Sequence, residues 1–270
     1  MEGKLTTVIR VEAEGVPLPA YERRCLRHAD DLAAAGQVEE AVAQLRTLVH
    51  TVPDSNRGYL RLASLLRQRR RSGEAREVLE TAVAQMPHCP VSREALAEIC
   101  LEIGRYDDAI RQGRALLEMR PRSIQARDLL STAYLHRGQY EKALRLSDEM
   151  IRLDPCEPAH HFKRGVVLQQ LGILSGACQA FLRALEIAEE GEMSEACLAA
   201  IDLLERYQIR QIVLLATEDV LFRLQVIHDP AEAVLGRGYY LSDSALGALS
   251  SQLRNVPMES APGWRHYRYH

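Results

Sequence analysis

Apolar and small positions return along the chain at a fixed interval. Leu62, Leu96 and Leu130 lie 34 residues apart, each followed by a small residue (Ala63, Ala97, Ser131); His28 and Ala29 hold the same places one interval earlier. A second small series, Ala41, Ala75, Ala109 and Ala143, keeps the same spacing. Small side chains repeated in phase are what closely crossing helices need, because a larger group would push them apart. Gly36, Gly104 and Gly138 share one phase and suit a left-handed helix end. Pro53, Pro87, Pro121 and Pro155 close the period. The pattern predicts units of two antiparallel helices of about 13 residues each, with Tyr106 and Tyr140 opening second helices. Units then start at Glu22, Asn56, Pro90 and Ile124. A fifth, from Pro158, keeps Gly165, Leu168, Gly172, Ala177, Phe181 and Ala184 but lacks the closing proline. The second unit has Arg70 at the glycine place, with Gly73 three residues on, which predicts one turn of altered shape.

Beyond residue 190 the period stops. Ser194 is the expected N-cap of a helix whose apolar stripe is Cys197, Ile201 and Leu204, flanked by Leu198. The stretch from Ile209 to Ile227 is very apolar, but Thr217, Glu218, Asp219 and Arg223 interrupt it. It therefore reads as a buried helix or helix pair rather than a membrane span. Asp229 followed by Pro230 is a helix start, Gly236 and Gly238 end that helix, and Leu241-Ser242-Asp243 opens another carrying Leu246, Leu249 and Leu253. Residues 5–13 are rich in β-branched side chains with no second strand to pair with, and read as an arm. The aromatic and basic end, Gly263 to His270, reads either as a plain tail or as an anchor peptide. The expected organisation is an arm (1–21), a repeat array (22–190), capping helices (191–227), a small helical module (228–254) and a tail (255–270).

Composition narrows the function classes. The chain has 270 residues, 47% hydrophobic and 26% charged, and Ala, Leu, Glu and Arg suit amphipathic helices. A net charge of −3 argues against bulk nucleic-acid affinity. Six scattered cysteines without a CxxC pair point to a reducing cytoplasm and no disulfide framework. The N-terminus lacks the basic-then-apolar pattern of a secretory signal. No phosphate loop, dinucleotide fingerprint or HExxH is present, so no cofactor is expected. Cys156, His160 and His161 cluster, but Pro158 lies among them and a metal site wants more ligands; no metal and no catalytic residue is assigned.

Over residues 22–190 the recurring small, glycine and proline positions resemble the tetratricopeptide repeat family. The resemblance implies an all-α fold, a right-handed α-solenoid of about five helix–turn–helix units with a helical C-terminal cap. It also implies a scaffold rather than an enzyme, with a protein or peptide partner held in a groove lined by the first helix of each unit. On that register the groove residues are Arg23, Arg27, Arg57, Arg61 and Arg67 in the first two units, Glu94, Glu98 and Glu102 in the third, Asp128 in the fourth, and Phe162 and Lys163 in the fifth. The groove would be basic at one end and acidic in the middle, and its arginines suit an acidic or carboxylate-bearing segment. The family's carboxylate clamp for chaperone tails wants Lys and Asn where Leu26 and Asp30 stand, which disfavours that partner. The segment Asp219–Leu253 resembles the helical leader-like modules of some modified-peptide precursors, which implies an accessory role in a peptide-modification or enzyme complex as one alternative. Self-assembly into a homo-oligomer is the other.

Overall fold

The computed structural model describes residues 18–255. The arm residues 1–17 and the tail residues 256–270, with the readings made of them, lie outside the described residues. Fourteen helices and no strand occur among the described residues, and they fall into two compact units, one ending at Arg137 and one beginning at Gly138.

The first unit holds α1 (Leu18–Ala34), α2 (Val38–Thr51), α3 (Asn56–Gln68), α4 (Ser72–Gln85), α5 (Pro90–Glu102), α6 (Tyr106–Met119) and α7 (Ile124–His136). Consecutive helices pack as hairpins, and α1 also touches α3, α3 touches α5 and α5 touches α7. The in-phase small residues sit at these crossings: Ala29, Ala41, Ala63, Ala75, Ala97, Ala109 and Ser131 are all buried. Helix starts are set by local chemistry. The Ser55 hydroxyl accepts from the Gly58 N–H at the head of α3, Ser123 does the same for α7 through Ala126, and Pro90 opens α5.

The turn between α3 and α4 differs from the expectation. Arg70 itself adopts φ +59°, and the bonds Arg70 N–H to Arg67 O (2.9 Å) and Arg71 N–H to Leu66 O (2.9 Å) close it. Gly36 and Gly104 close their turns with the same pair of bonds at φ +81° and +75°. The turn keeps its shape with an arginine in the left-handed position, and Gly73 lies within α4.

The second unit holds α8 (Tyr140–Leu153), α9 (Pro158–Gln170), α10 (Leu174–Ile187), α11 (Glu192–Glu218), α12 (Val220–His228), α13 (Pro230–Leu235) and α14 (Asp243–Asn255). One core gathers Leu168, Cys178, Phe181, Ile201 and Leu204 from α9, α10 and α11. A second gathers Ile212 and Ala216 of α11 with Phe222, Val226, Val234, Leu241, Leu249 and Leu253. The segment 219–253 is therefore folded onto the end of α11. The N-cap of α11 is Gly191, not Ser194. Ser194 lies one turn inside and its hydroxyl both accepts from the Gly191 N–H and donates to the Gly191 carbonyl. The apolar stretch is divided at Asp219, whose carboxylate accepts the Phe222 N–H and starts α12. Asp229 caps α13 in the same way through Glu232. No described helix is long and apolar enough to cross a membrane.

Candidate partner-binding face

The first helices of successive repeats, α1, α3, α5 and α7, lie side by side in the first compact unit. Their buried residues face the hairpin partners, and the remaining positions form a polar face that carries most of the sequence-predicted site residues. Arg23 and Arg27 are exposed on α1, and the Arg27 Nε donates to the Arg23 carbonyl at 3.4 Å. Together with Leu26 and Asp30 they line an open depression. Arg57 is exposed at the start of α3, and Glu98 is exposed on α5. No ion pair or hydrogen bond engages the side chains of Arg23, Arg57 or Glu98 among the described residues.

The other predicted residues have partners within the unit. Arg61 donates to Asp30 at 2.6 Å, tying α3 to α1, and Arg67 meets Glu102 at 2.5 Å, tying α3 to α5. Glu94 is largely buried and lies 3.8 Å from Arg120. Asp128 is half-buried on α7. The basic end is thus partly neutralised by its neighbours, and its uncompensated charge rests on Arg23, Arg27 and Arg57. In the second unit, Phe162 is half-buried with its ring 5.2 Å from that of Phe181, so it serves the core, and Lys163 is half-buried beside it on α9.

A second set of charges runs along the turns. Arg71 grips Glu74 through two bonds (2.7 and 2.9 Å) and reaches Glu39 at 3.0 Å, while Arg46 meets Glu74 at 2.7 Å. Hydrogen bonding from Arg71 holds the Glu74 carboxyl below the usual carboxylate range, and bonding to Glu74 and then Glu39 holds the Arg71 guanidinium still more firmly protonated. Arg137 and Asp107 pair at 3.0 Å. Sequence reasoning missed these cross-repeat pairs. Their signal is opposite charge about one repeat apart, as in Asp30 with Arg61 or Glu39 with Arg71. Of the six arginines between 56 and 73, Arg61, Arg67 and Arg71 are paired in this way.

The Cys156–His160–His161 cluster is dispersed by α9. Cys156 is exposed, His160 is buried, and the His161 Nε2 lies 3.0 Å from the Pro155 carbonyl oxygen.

The family model described as Tetratricopeptide repeat matches residues 26–90, 60–124 and 129–192, which together span more than half of the chain. No curated protein matches the sequence. Among solved structures, a tetratricopeptide repeat protein from Parabacteroides merdae superposes with a TM-score of 0.58 at 15% identity, covering 94% of this chain and 91% of that one. MamA from Desulfovibrio magneticus gives 0.55 at 19% identity, covering 62% and 94%. YrrB, described as a repeat protein with an unusual peptide-binding site, gives 0.54 at 15% identity, covering 65% and 89%. At these identities the likeness is one of fold.

Proposed function

The chain belongs to the tetratricopeptide repeat family, and on that premise we propose that it is an interaction scaffold that holds a partner polypeptide against the face of its first helices. Repeats of this kind expose an extended surface whose shape comes from stacked hairpins rather than from a catalytic pocket. The observation that carries the proposal is the set of exposed charges left uncompensated on that face, Arg23 and Arg57 at one end and Glu98 beyond. Charge is costly to ignore in a docking partner, so such residues set partner choice and association rate more than raw affinity. The arginine end suits an acidic or carboxylate-bearing segment, since guanidinium forks bind carboxylates with two bonds. A polypeptide ligand also accords with the peptide-binding site for which YrrB is described. The scaffold acts in a reducing cytoplasm, in keeping with six free thiols.

The test uses the full chain and a fluorescein-labelled hexaglutamate peptide as probe for the arginine end. The double variant Arg23→Glu, Arg57→Glu should lose at least about tenfold in affinity, with the helical circular dichroism unchanged. Arg61 is left alone because reversing it would set two carboxylates against each other at Asp30. Equal binding by the double variant would remove this face as the site.

Self-assembly is favoured by a different observation. Leu203, Tyr207 and Leu214, each more than half exposed, share one side of α11. Light scattering at two concentrations distinguishes the readings: a concentration-independent monomer eliminates assembly.

A further inference from the structure

Numbered from the start of each repeat, the fourth residue is Tyr59, Arg93, Arg127 and His161 in repeats two to five. In the later repeats this residue is used internally. Arg93 links the loop before its own helix to the second helix of its repeat: Nη1 donates to Gln112 Oε1 and Nη2 to the Pro87 carbonyl, both at 2.8 Å, while its buried Nε has no partner among the described residues. Arg127 donates to the Ser123 carbonyl at 3.1 Å, and His161 contacts the Pro155 carbonyl at 3.0 Å. Pro87 and Pro155 are closing prolines, so in the third and fifth repeats a basic side chain at the fourth position satisfies the loop carbonyl, while in the fourth repeat Arg127 turns to the N-cap Ser123.

The second repeat has no basic side chain at this position. Tyr59 stands at the fourth position, 3% exposed, and burial pushes its phenol above the ordinary value. Its hydroxyl makes no hydrogen bond among the described residues, and the Pro53 carbonyl, the counterpart of Pro87 and Pro155, accepts none either. An open crevice of about 480 Å³ is left between α2 and α4, with Val49, Pro53, Leu62 and Val78 as apolar walls and Tyr59 at its base. Two carboxylates border it, together with Arg46 and His50. Glu74 is held by Arg71 and Arg46, whereas Glu77 is 70% exposed and, among the described residues, has only Arg76 near it, at 3.9 Å.

We propose that this crevice is a binding site for an arginine side chain of a partner polypeptide, which fills from outside the place that Arg93 fills from within. The aliphatic stem would lie along Val49, Leu62 and Val78, and the guanidinium would donate to the Pro53 carbonyl and pair with Glu77. The site lies on the side of the second helices, apart from the first-helix face, and stands or falls without it.

The probe is N-acetyl-arginine-methylamide, titrated into the full chain labelled at valine and leucine methyls, with the uncharged citrulline analogue as control. Shifts confined to Val49, Leu62 and Val78, saturating with a Kd on the order of millimolar, are expected from the arginine compound alone. Tyr59→Arg should occupy the crevice from within, abolish those shifts and raise the melting temperature. Glu77→Arg, at the exposed rim, should weaken binding at least about fivefold and serves if Tyr59→Arg does not fold. Absent shifts, equal shifts from the citrulline compound, shifts centred elsewhere, or titrations that neither variant alters would overturn the proposal.

Discussion

At the scale of single residues, the most informative position is Arg70. An L-residue in the left-handed region costs about 1–2 kcal/mol, while glycine there loses about 0.5–1 kcal/mol of chain entropy instead. Arg70 is exposed, so its side chain offers little to offset the strain. Arg70→Gly should therefore stabilise the protein by about 0.5–1 kcal/mol, read as a higher urea midpoint with unchanged slope. The thiols sort by the same kind of local argument. Cys156 is exposed and Cys89 half-buried, whereas Cys25, Cys100, Cys178 and Cys197 are buried. Burial pushes Cys100 and Cys178 up to about 11, with Asp108 adding to the shift at Cys100 and Glu205 at Cys178. The thiolate is the reactive form, so at pH 8 these two are almost wholly protonated. A disulfide reagent should modify Cys156 quickly and Cys89 more slowly. The four buried thiols should stay silent until denaturant is added, and raising the pH to 9 should not release Cys100 or Cys178.

At the scale of elements, close crossings decide what a helix tolerates. Gly165 on α9 faces the Phe181 ring of α10, and a Cβ there would lie 2.6 Å from two ring carbons. The ring is fully buried and cannot swing aside. Gly165→Ala gains about 0.5–1 kcal/mol of helix preference but forces an overpacked core costing about 1–3 kcal/mol, so a net loss is expected in thermal melts. This contact was partly legible in the sequence, because Gly165 and Phe181 were in phase with the repeat. The helix starts at Asn56, Pro90, Ile124 and Pro158 were legible for the same reason: a 34-residue period fixes boundaries that single-segment propensity leaves loose. Ser194 was misplaced because no period reaches it, and a serine within a first turn carries the same local signal as one at the cap. The face was less legible than the helices that carry it. Placing Arg61 and Arg67 on first helices followed from register, but their capture by Asp30 and Glu102 depends on rotamers and inter-repeat distance. The Tyr59 crevice was missed because it is a departure from the repeat, visible only once Arg93 is seen filling the equivalent space.

At the scale of the whole molecule, stability is a sum of local terms. The cross-repeat ion pairs join mostly exposed side chains, and pairs of that kind are each worth about 0–1 kcal/mol. The larger contributions come from buried hairpin contacts such as those of Leu45, Leu66 and Leu79 in the first unit and Phe181 and Leu204 in the second. Within each unit those contacts run mainly between helices that follow one another in the chain or are separated by one. An array built this way loses protection near a defect before it loses it elsewhere, because each repeat leans on its neighbours alone. Hydrogen exchange of Gly165→Ala tests this directly. Amides of α9 and α10 should exchange faster than in the parent, those of α8 and α11 should follow, and those of α1 to α5 should keep their parent rates. Uniform acceleration from α1 to α14 would instead mean that the chain opens as one cooperative body, and the local-sum account of its stability would fail.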